Sequence, residues 1–334
     1  MRITANQPAG KAGTTDKAAR FQAALTNART GTKPSTNTAS TARSSASQNP
    51  LGYIGNALKT RITNSFGPQV PASDIPQDAA RHGAERLRLS AGAYGVNSFV
   101  PKDWQKLDVS QVGGVPLNDF KTGFNSSIYR NKSTGETVVA YRGTDAGINL
   151  ADVVTDAKLF SQSRVPDQVR QAMDLAKAAK QEYGSNLSFT GHSLGGALST
   201  AAGLSTGLPA TSFDPPGLSP AIRQEILARN PDANGSTITN FAAQGNFVTD
   251  LDRQNTQQTP TGDLIGKTYF VSTDGVGALA GTLPFLQADP FTSHIPTYAL
   301  EELERIGYGK EDTTNDFVDF LKFAVPYVKN SIFG

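Results

Sequence analysis

The chain contains no cysteine among its 334 residues, and this absence excludes disulfide bonds, thiolate zinc sites and cysteine nucleophiles. Histidine is scarce as well, because only three occur. Three histidines leave little room for a histidine-based metal site, so we expect neither a metal nor another cofactor.

Long apolar runs are also missing. The longest, Val276 to Leu286, is short and interrupted by glycines and Pro284, so it cannot span a membrane. Residues 1–30 lack the apolar core, about 7–15 residues long, of a standard secretory signal peptide. Hydrophobic residues nevertheless make up 37% of the chain, which is enough to build a core.

Charge is distributed unevenly along the chain. The net charge is +2, but residues 1–50 carry +6 and the remaining residues −4. The folded part is therefore mildly acidic, which argues against a nucleic-acid-binding surface.

Residues 1–75 are predicted to form a disordered leader, rich in Ser, Thr and Ala, ahead of a single folded domain at 76–334. A basic, acid-poor start of this kind resembles the leader of a bacterial type III secreted effector or an organelle transit peptide, and a plain flexible tail is the third reading. The first reading predicts secretion, with translocation into a host cell as a virulence effector and a secretion chaperone as a candidate partner. The second predicts organelle targeting.

Segments typical of strands and helices alternate along the rest of the chain, which predicts a mainly parallel sheet covered by helices on both faces. A hairpin is predicted from Ser126–Arg130 and Glu136–Tyr141 around a turn. The other predicted strands are Leu187–Thr190, Ala210–Phe213, Thr237–Ala242 and Lys267–Ser272, and the predicted helices are Asp78–Leu89, Pro166–Tyr183, Pro220–Arg229, Ile295–Ile306 and Asn315–Tyr327.

One motif points to chemistry. Gly191-His192-Ser193-Leu194-Gly195 follows a predicted strand and precedes a run of small helix formers. In that context G-x-S-x-G is a nucleophile elbow, a strained turn that presents the serine hydroxyl above the sheet. The motif therefore predicts an α/β-hydrolase fold with Ser193 as the nucleophile.

A serine nucleophile needs a general base and an oxyanion hole. His294 follows the last predicted strand, where an α/β-hydrolase places its base, whereas His82 precedes the core and His192 adjoins the serine as a turn residue. The backbone amide of Leu194 is one oxyanion donor by the geometry of the elbow, and Thr144, after the strand that ends at Tyr141, is the candidate for the other.

These motifs together resemble the class 3 (fungal-type) lipases, and more closely their bacterial phospholipase A1-like relatives. The resemblance rests on Tyr141-Arg142-Gly143-Thr144, on Gly191 to Gly196, and on Ser293-His294 with Tyr298, and it covers about residues 120 to 310. It implies a carboxylester hydrolase acting on glycerolipids at a membrane or micelle surface, with Ser193 as nucleophile, His294 as base and Thr144 in the oxyanion hole.

The triad acid departs from the family pattern, because Asn246 stands where the family has an aspartate. Asp214 directly follows a predicted strand, in a Phe-Asp-Pro setting that resembles the triad acid of pancreatic-type lipases, and it is the preferred candidate. Asp250 is the runner-up, and Asp274 lies too near the start of the His294 loop to be preferred.

Two other functions remain open at this point. The asparagine at 246 would suit a lipase-like interaction module with little catalysis, and an acyltransferase would use the same acyl-enzyme. Two long connections, Asp145 to Val165 and Gly275 to Pro290, flank the expected pocket, and one of them is expected to act as a lid or acyl-chain wall.

Overall fold

The computed structural model describes residues 66–70, 74–95, 97–143, 164–243, 264–271 and 296–309. The strands in these ranges are β1 (Phe66–Val70), β2 (Trp104–Lys106), β3 (Gln111–Val112), β4 (Val115–Pro116), β5 (Asn118–Asp119), β6 (Phe124–Asn131), β7 (Thr137–Tyr141), β8 (Leu187–His192), β9 (Ala210–Phe213), β10 (Ile238–Ala243) and β11 (Gly266–Val271). The α-helices are α1 (Gln77–Ala93), α2 (Asp167–Tyr183), α3 (Leu194–Thr206), α4 (Pro220–Arg229) and α5 (Pro296–Tyr308).

One large sheet carries most of the strands, in the order β1-β11-β10-β9-β8-β7-β6-β2. Neighbouring strands from β7 to β1 run parallel. Strand β6 pairs antiparallel with β7, β2 and β5, so the sheet has a parallel middle and an antiparallel end. The carboxyl ends of the parallel strands therefore meet at one edge, which is where α/β proteins place their ligands.

Helices bury both faces of this sheet. The inward side chains of β7 and β8, including Val139 and Phe189, pack with helices α2, α3 and α4 in the largest apolar cluster. On the other face Phe213, Phe241 and Tyr269 stack in sequence and pack against α1 and α5. Covering both faces explains why β8 and β9 are buried along their whole length, polar residues included. The resulting layered sheet has the architecture of an α/β-hydrolase.

Polar side chains fix the register of three neighbouring strands. The Ser212 hydroxyl donates to Asn240 Oδ1 at 2.5 Å, and Asn240 Nδ2 donates to the Thr268 hydroxyl at 3.2 Å and to the carbonyl of Ile265 at 3.0 Å. All of these hydrogen bonds are buried. A register slip would leave these groups unpaired in the interior, which is costly. The bonds therefore hold β9, β10 and β11 at the level where the site is built.

The elements expected in the described ranges are present, with ends that shift by a few residues. The hairpin forms as β6 and β7, and its turn is closed by Asn131, whose side chain accepts from the amides of Ser133 and Thr134 at 2.9 and 3.0 Å. Helix α2 ends at Tyr183 and is followed by Gly184, as expected, with φ 73°. The expected helix at 315–327 lies outside the described residues.

The boundary of the leader needs correction. Phe66–Val70 falls within the predicted leader but forms β1, which pairs with β11. The strand contains a glycine and a proline, Gly67 and Pro68, which lower the strand signal of the sequence and suit an edge position. The folded domain therefore begins no later than Phe66, and the rest of the leader prediction concerns residues outside the described ranges.

Candidate active site

The nucleophile elbow is present at the carboxyl end of β8. Ser193 joins β8 to α3 with φ 57° and ψ −127°, a conformation that non-glycine residues rarely adopt. Its amide donates to the carbonyl of Phe213 at 2.8 Å, and its carbonyl accepts from the amide of Gly196 at 2.8 Å. The turn is therefore held from both sides by backbone hydrogen bonds.

Two glycines allow the turn to be this tight. A β-carbon on Gly191 would lie 2.1 Å from the carbonyl oxygen of Gly195, and one on Gly195 would lie 2.2 Å from that of Tyr141. Neither contact is sterically possible. Close packing at the elbow therefore requires glycine at both positions.

Asp214 is the second strained residue. Among the described residues, only Ser193 and Asp214 combine a positive φ with a side chain, and the φ of Asp214 is 46°. The carboxylate is 1% exposed, and its Oδ1 accepts from the amide of Ala243 at 2.7 Å. Backbone strain persists only where the surrounding structure enforces it, and strained residues cluster at functional positions. The aspartate favoured by the sequence is thus strained, buried and bonded to the end of the next strand.

The Asp214 carboxylate also lies close to the nucleophile strand. Its Oδ2 is 3.9 Å from Nε2 of His192, which is the last residue of β8 and is buried. The carboxylate therefore stands between the ends of β8 and β10, beside the position of the nucleophile.

Leu194 is the first residue of α3. The first hydrogen bonds of this helix are donated by Gly196 and Ala197 to the carbonyl of Ser193, at 2.8 and 3.2 Å. The amide of Leu194 precedes them, so it belongs to the helix-start donors that the helix itself cannot satisfy, at the positive end of the helix dipole. This amide is suited to bind a developing oxyanion next to Ser193.

Tyr94, which the sequence analysis did not single out, holds the segment that leads to Thr144. The amide of Gly143 donates to the Tyr94 hydroxyl at 2.9 Å, and the Arg142 guanidinium lies 5.6 Å from the centre of the Tyr94 ring. Burial raises the pKa of Tyr94 to about 12, so its hydroxyl stays protonated at neutral pH. No local pattern signals this contact, because Tyr94 ends helix α1 and is 49 residues away from Gly143.

The packing of Gly143 is as tight as that of the elbow. A β-carbon there would lie 2.6 Å from the Tyr94 hydroxyl and 2.7 Å from the carbonyl of His192. The end of β7 is thus packed against the end of β8, and Thr144 is the next residue in the chain.

Several predicted site residues lie outside the described ranges, as do almost all of the two candidate lid segments. They are Thr144, Asn246, Asp250, Asp274 and His294. His82 is described: it lies exposed on α1, with Nε2 3.3 Å from the Thr211 hydroxyl. Within the described ranges no group of three potential ligands could hold a metal ion, and no helix there is long and apolar enough to cross a membrane.

Comparison with known families decides the class of this protein. A model of phospholipase-like proteins, the Tle-like phospholipase domain, matches residues 85–290, which is more than half of the chain. The chain belongs to this family. It is therefore a carboxylic ester hydrolase of the lipase and phospholipase class, and the resemblance found in the sequence is confirmed.

Individual relatives are more distant. The extracellular phospholipase A1 of Serratia liquefaciens is 28% identical over 236 residues, which cover 66% of this chain and 71% of the relative. Among solved structures, the Lip2 lipase of Yarrowia lipolytica is 14% identical with a TM-score of 0.38, covering 60% of this chain and 80% of that one. The triacylglycerol lipase of Penicillium expansum is 17% identical with a TM-score of 0.37, covering 61% and 82%.

Proposed function

We propose that this phospholipase-like hydrolase works through an acyl-enzyme on Ser193, with His294 as general base and Asp214 as the acid that orients it. The observation that carries the proposal is the pair of strained residues at adjacent strand ends. Ser193 and Asp214 are the two non-glycine residues of positive φ in the described ranges, and the Ser193 amide bonds to Phe213, the residue before Asp214.

The proposed reaction has two steps. His294 takes the proton of Ser193 Oγ as the oxygen attacks the ester carbonyl, and then gives it to the leaving alkoxide, so that the lysolipid departs and the acyl group remains on the serine. Water then attacks the acyl-enzyme, again with His294 as base, and the free fatty acid leaves with Ser193 restored. Amides of Leu194 and Thr144 stabilise the oxyanion in both steps.

Asp214 is preferred over Asp250 because of where its carboxylate is bonded. Its Oδ1 accepts from Ala243, the last residue of β10, so the side chain reaches the strand end that precedes Asn246. A carboxylate that follows β9 thereby lies at the end of β10, and Ala243 precedes Asn246 by three residues in the chain. The side chain beside this carboxylate is that of His192, which is not an acid and so does not compete with Asp214 for the role of triad acid.

Phospholipids, hydrolysed at the first acyl position, are the proposed substrates. This assignment is supported by the family and by the relative described as an extracellular phospholipase A1. The extracellular relative and the basic, Ser/Thr-rich leader together support secretion, and delivery into a host cell with the help of a chaperone is the route proposed for the leader.

The experiment is product analysis with the full chain on a phosphatidylcholine that carries different fatty acids at its two positions. The fatty acid from the first position should be released, and Ser193→Ala should abolish the release. Ser205→Ala is the matched control, because Ser205 lies on α3, the helix that follows Ser193, and its hydroxyl donates to the carbonyl of Ala202 at 3.0 Å. Release that persists in Ser193→Ala would refute the mechanism, and release from the second position would refute the assigned specificity.

A further inference from the structure

One aromatic side chain stands almost entirely in solvent. Phe120 is 98% exposed, whereas the other exposed large hydrophobic residues of the described ranges, Val109 and Tyr308, reach 39% and 52%. A single exposed apolar residue is ordinary on a protein surface. The way Phe120 is held, and its place in the fold, distinguish it.

Phe120 belongs to a braced turn at residues 119–123, here named the Phe120 turn. Asp119 accepts from the amide of Lys121 at 2.9 Å through one carboxylate oxygen and from Gln171 Nε2 at 2.7 Å through the other. The Thr122 hydroxyl donates to Gln171 Oε1 at 2.8 Å, and its carbonyl accepts from Gln168 Nε2 at 2.5 Å. Side chains of α2 therefore fix the turn on both sides of Phe120, and the ring remains in water.

The Phe120 turn lies at the same edge of the sheet as Ser193. Strand β6 starts just after the turn and runs antiparallel to β7, with Ser126 opposite Tyr141 at the carboxyl end of β7. The amide of Arg142 continues this pairing by donating to the carbonyl of Asn125 at 2.9 Å. Strands β6 and β8 are two strand spacings apart, which is about 10 Å. Residues that precede β6 therefore project from the edge of the sheet that carries Ser193, here named the catalytic edge.

The position fits a phospholipid surface better than a protein partner. The proposed substrate is presented in membranes and micelles, so this edge must face a lipid surface during turnover. An aromatic ring there gains by leaving water, and the exposed Lys121 beside it can meet the lipid phosphates.

We propose that the Phe120 turn is an interfacial anchor, which inserts Phe120 into the surface of a phospholipid aggregate and holds the catalytic edge against it. The proposal rests on the proposed function for the nature of the lipid. It predicts that binding to vesicles depends on Phe120 even when no chemistry takes place.

Binding is tested first in Ser193→Ala protein, so that vesicles of phosphatidylcholine and phosphatidylglycerol stay intact. Phe120→Trp adds a fluorescent reporter, and the only native tryptophan, Trp104, is 3% exposed and gives a constant background. We expect a blue shift on addition of vesicles and quenching by lipids with brominated acyl chains. Phe120→Ala should weaken vesicle binding by about tenfold or more, the range expected for removing one phenyl ring.

Tyr308→Ala is the matched control. Tyr308 is an exposed aromatic at the end of α5, where the adjacent Gly307 carbonyl accepts from Arg81 Nε at 2.6 Å, near the start of α1. The contact of α1 with Gly143, just after β7, is made at the other end of this helix, by Tyr94. This variant should bind vesicles as the parent does.

In protein with Ser193 intact, Phe120→Ala should lower the ratio of vesicle hydrolysis to monomeric-ester hydrolysis by about tenfold. Unchanged vesicle affinity in Phe120→Ala, or no spectral response in Phe120→Trp, would overturn the anchor. A dimer that Phe120→Ala converts to a monomer would also overturn it, because the ring would then meet a second copy. Refutation of the proposed function is a separate outcome, because it would appear as hydrolysis of the monomeric ester that persists in Ser193→Ala.

Discussion

The middle of the sheet and its antiparallel end are built differently. In the middle, the ladder of Ser212, Asn240 and Thr268 pairs the buried polar groups of three strands, and the strained backbone is found just beyond, at Ser193 and Asp214. At the antiparallel end the described residues of positive φ are all glycines, and a braced turn exposes Phe120. The difference is consistent with the two proposals made above, chemistry in the parallel middle and lipid contact at the antiparallel end.

The largest effect is expected in the middle. Asp214→Asn keeps the shape of the side chain but removes the charge that we propose orients His294, and the corresponding change in a serine protease lowers kcat by about 10⁴-fold. Stopped assays on a monomeric ester and on vesicles should show the same loss, because chemistry is common to both. Circular dichroism checks folding.

Asp250→Asn is the control for this prediction, and we expect it to change kcat by less than about tenfold. The opposite ranking of the two variants would assign the acid to Asp250, in the part of the sequence that follows β10, as in the ordinary class 3 arrangement.

A smaller effect is expected where the two regions meet. Tyr94→Phe removes the oxygen that accepts from Gly143, so the segment leading to Thr144 loses its support and kcat should fall by about 10–100-fold. The loss should shrink on a thionoester, since sulfur accepts hydrogen bonds poorly and gains little from an oxyanion hole. Tyr129→Phe, which removes the hydroxyl of another buried tyrosine, is the control. An equal loss of kcat on the ester and the thionoester in Tyr94→Phe would show that Tyr94 does not act through the oxyanion.

At the end of the sheet formed by β1, we expect two truncations to differ in melting temperature. Deletion of residues 1–65 should leave esterase activity and thermal stability intact and abolish export. Deletion of residues 1–70 also removes β1, which pairs with β11, and should lower the melting temperature. Loss of folding on the shorter deletion would contradict the role of the leader as a separable address, and equal melting temperatures would show that β1 contributes nothing.

The smallest effect is a pH dependence at the antiparallel end. Burial raises the pKa of Tyr129 from 10.0 to about 12, so the tyrosine ionises in the unfolded chain before it does in the fold. Its contribution to stability is complete below pH 10 and is lost as the pH rises to 12. Denaturation with urea across this range should show a shallower loss of stability in Tyr129→Phe. Parallel curves for the two proteins would contradict the raised pKa.

The sequence predicted the middle of the fold better than its ends. Ser193 was recognisable because its turn requires particular glycines, and Asp214 because it follows a strand and precedes a proline. Tyr94 was not, since its contact with Gly143 exists only once α1 and β7 are packed together. Strand β1 was missed because its local propensity is weak and its partner is about 200 residues away.

The most direct test of the central claim is to trap the acyl-enzyme. An ester whose acyl group is removed slowly is mixed with the full chain, the reaction is quenched with acid, and the peptides are examined by mass spectrometry. We predict an acyl group on the peptide that contains Ser193 in the native protein and none in Ser193→Ala. Turnover without an acylated peptide, or an acyl group on another residue that forms at the rate of turnover, would contradict the account.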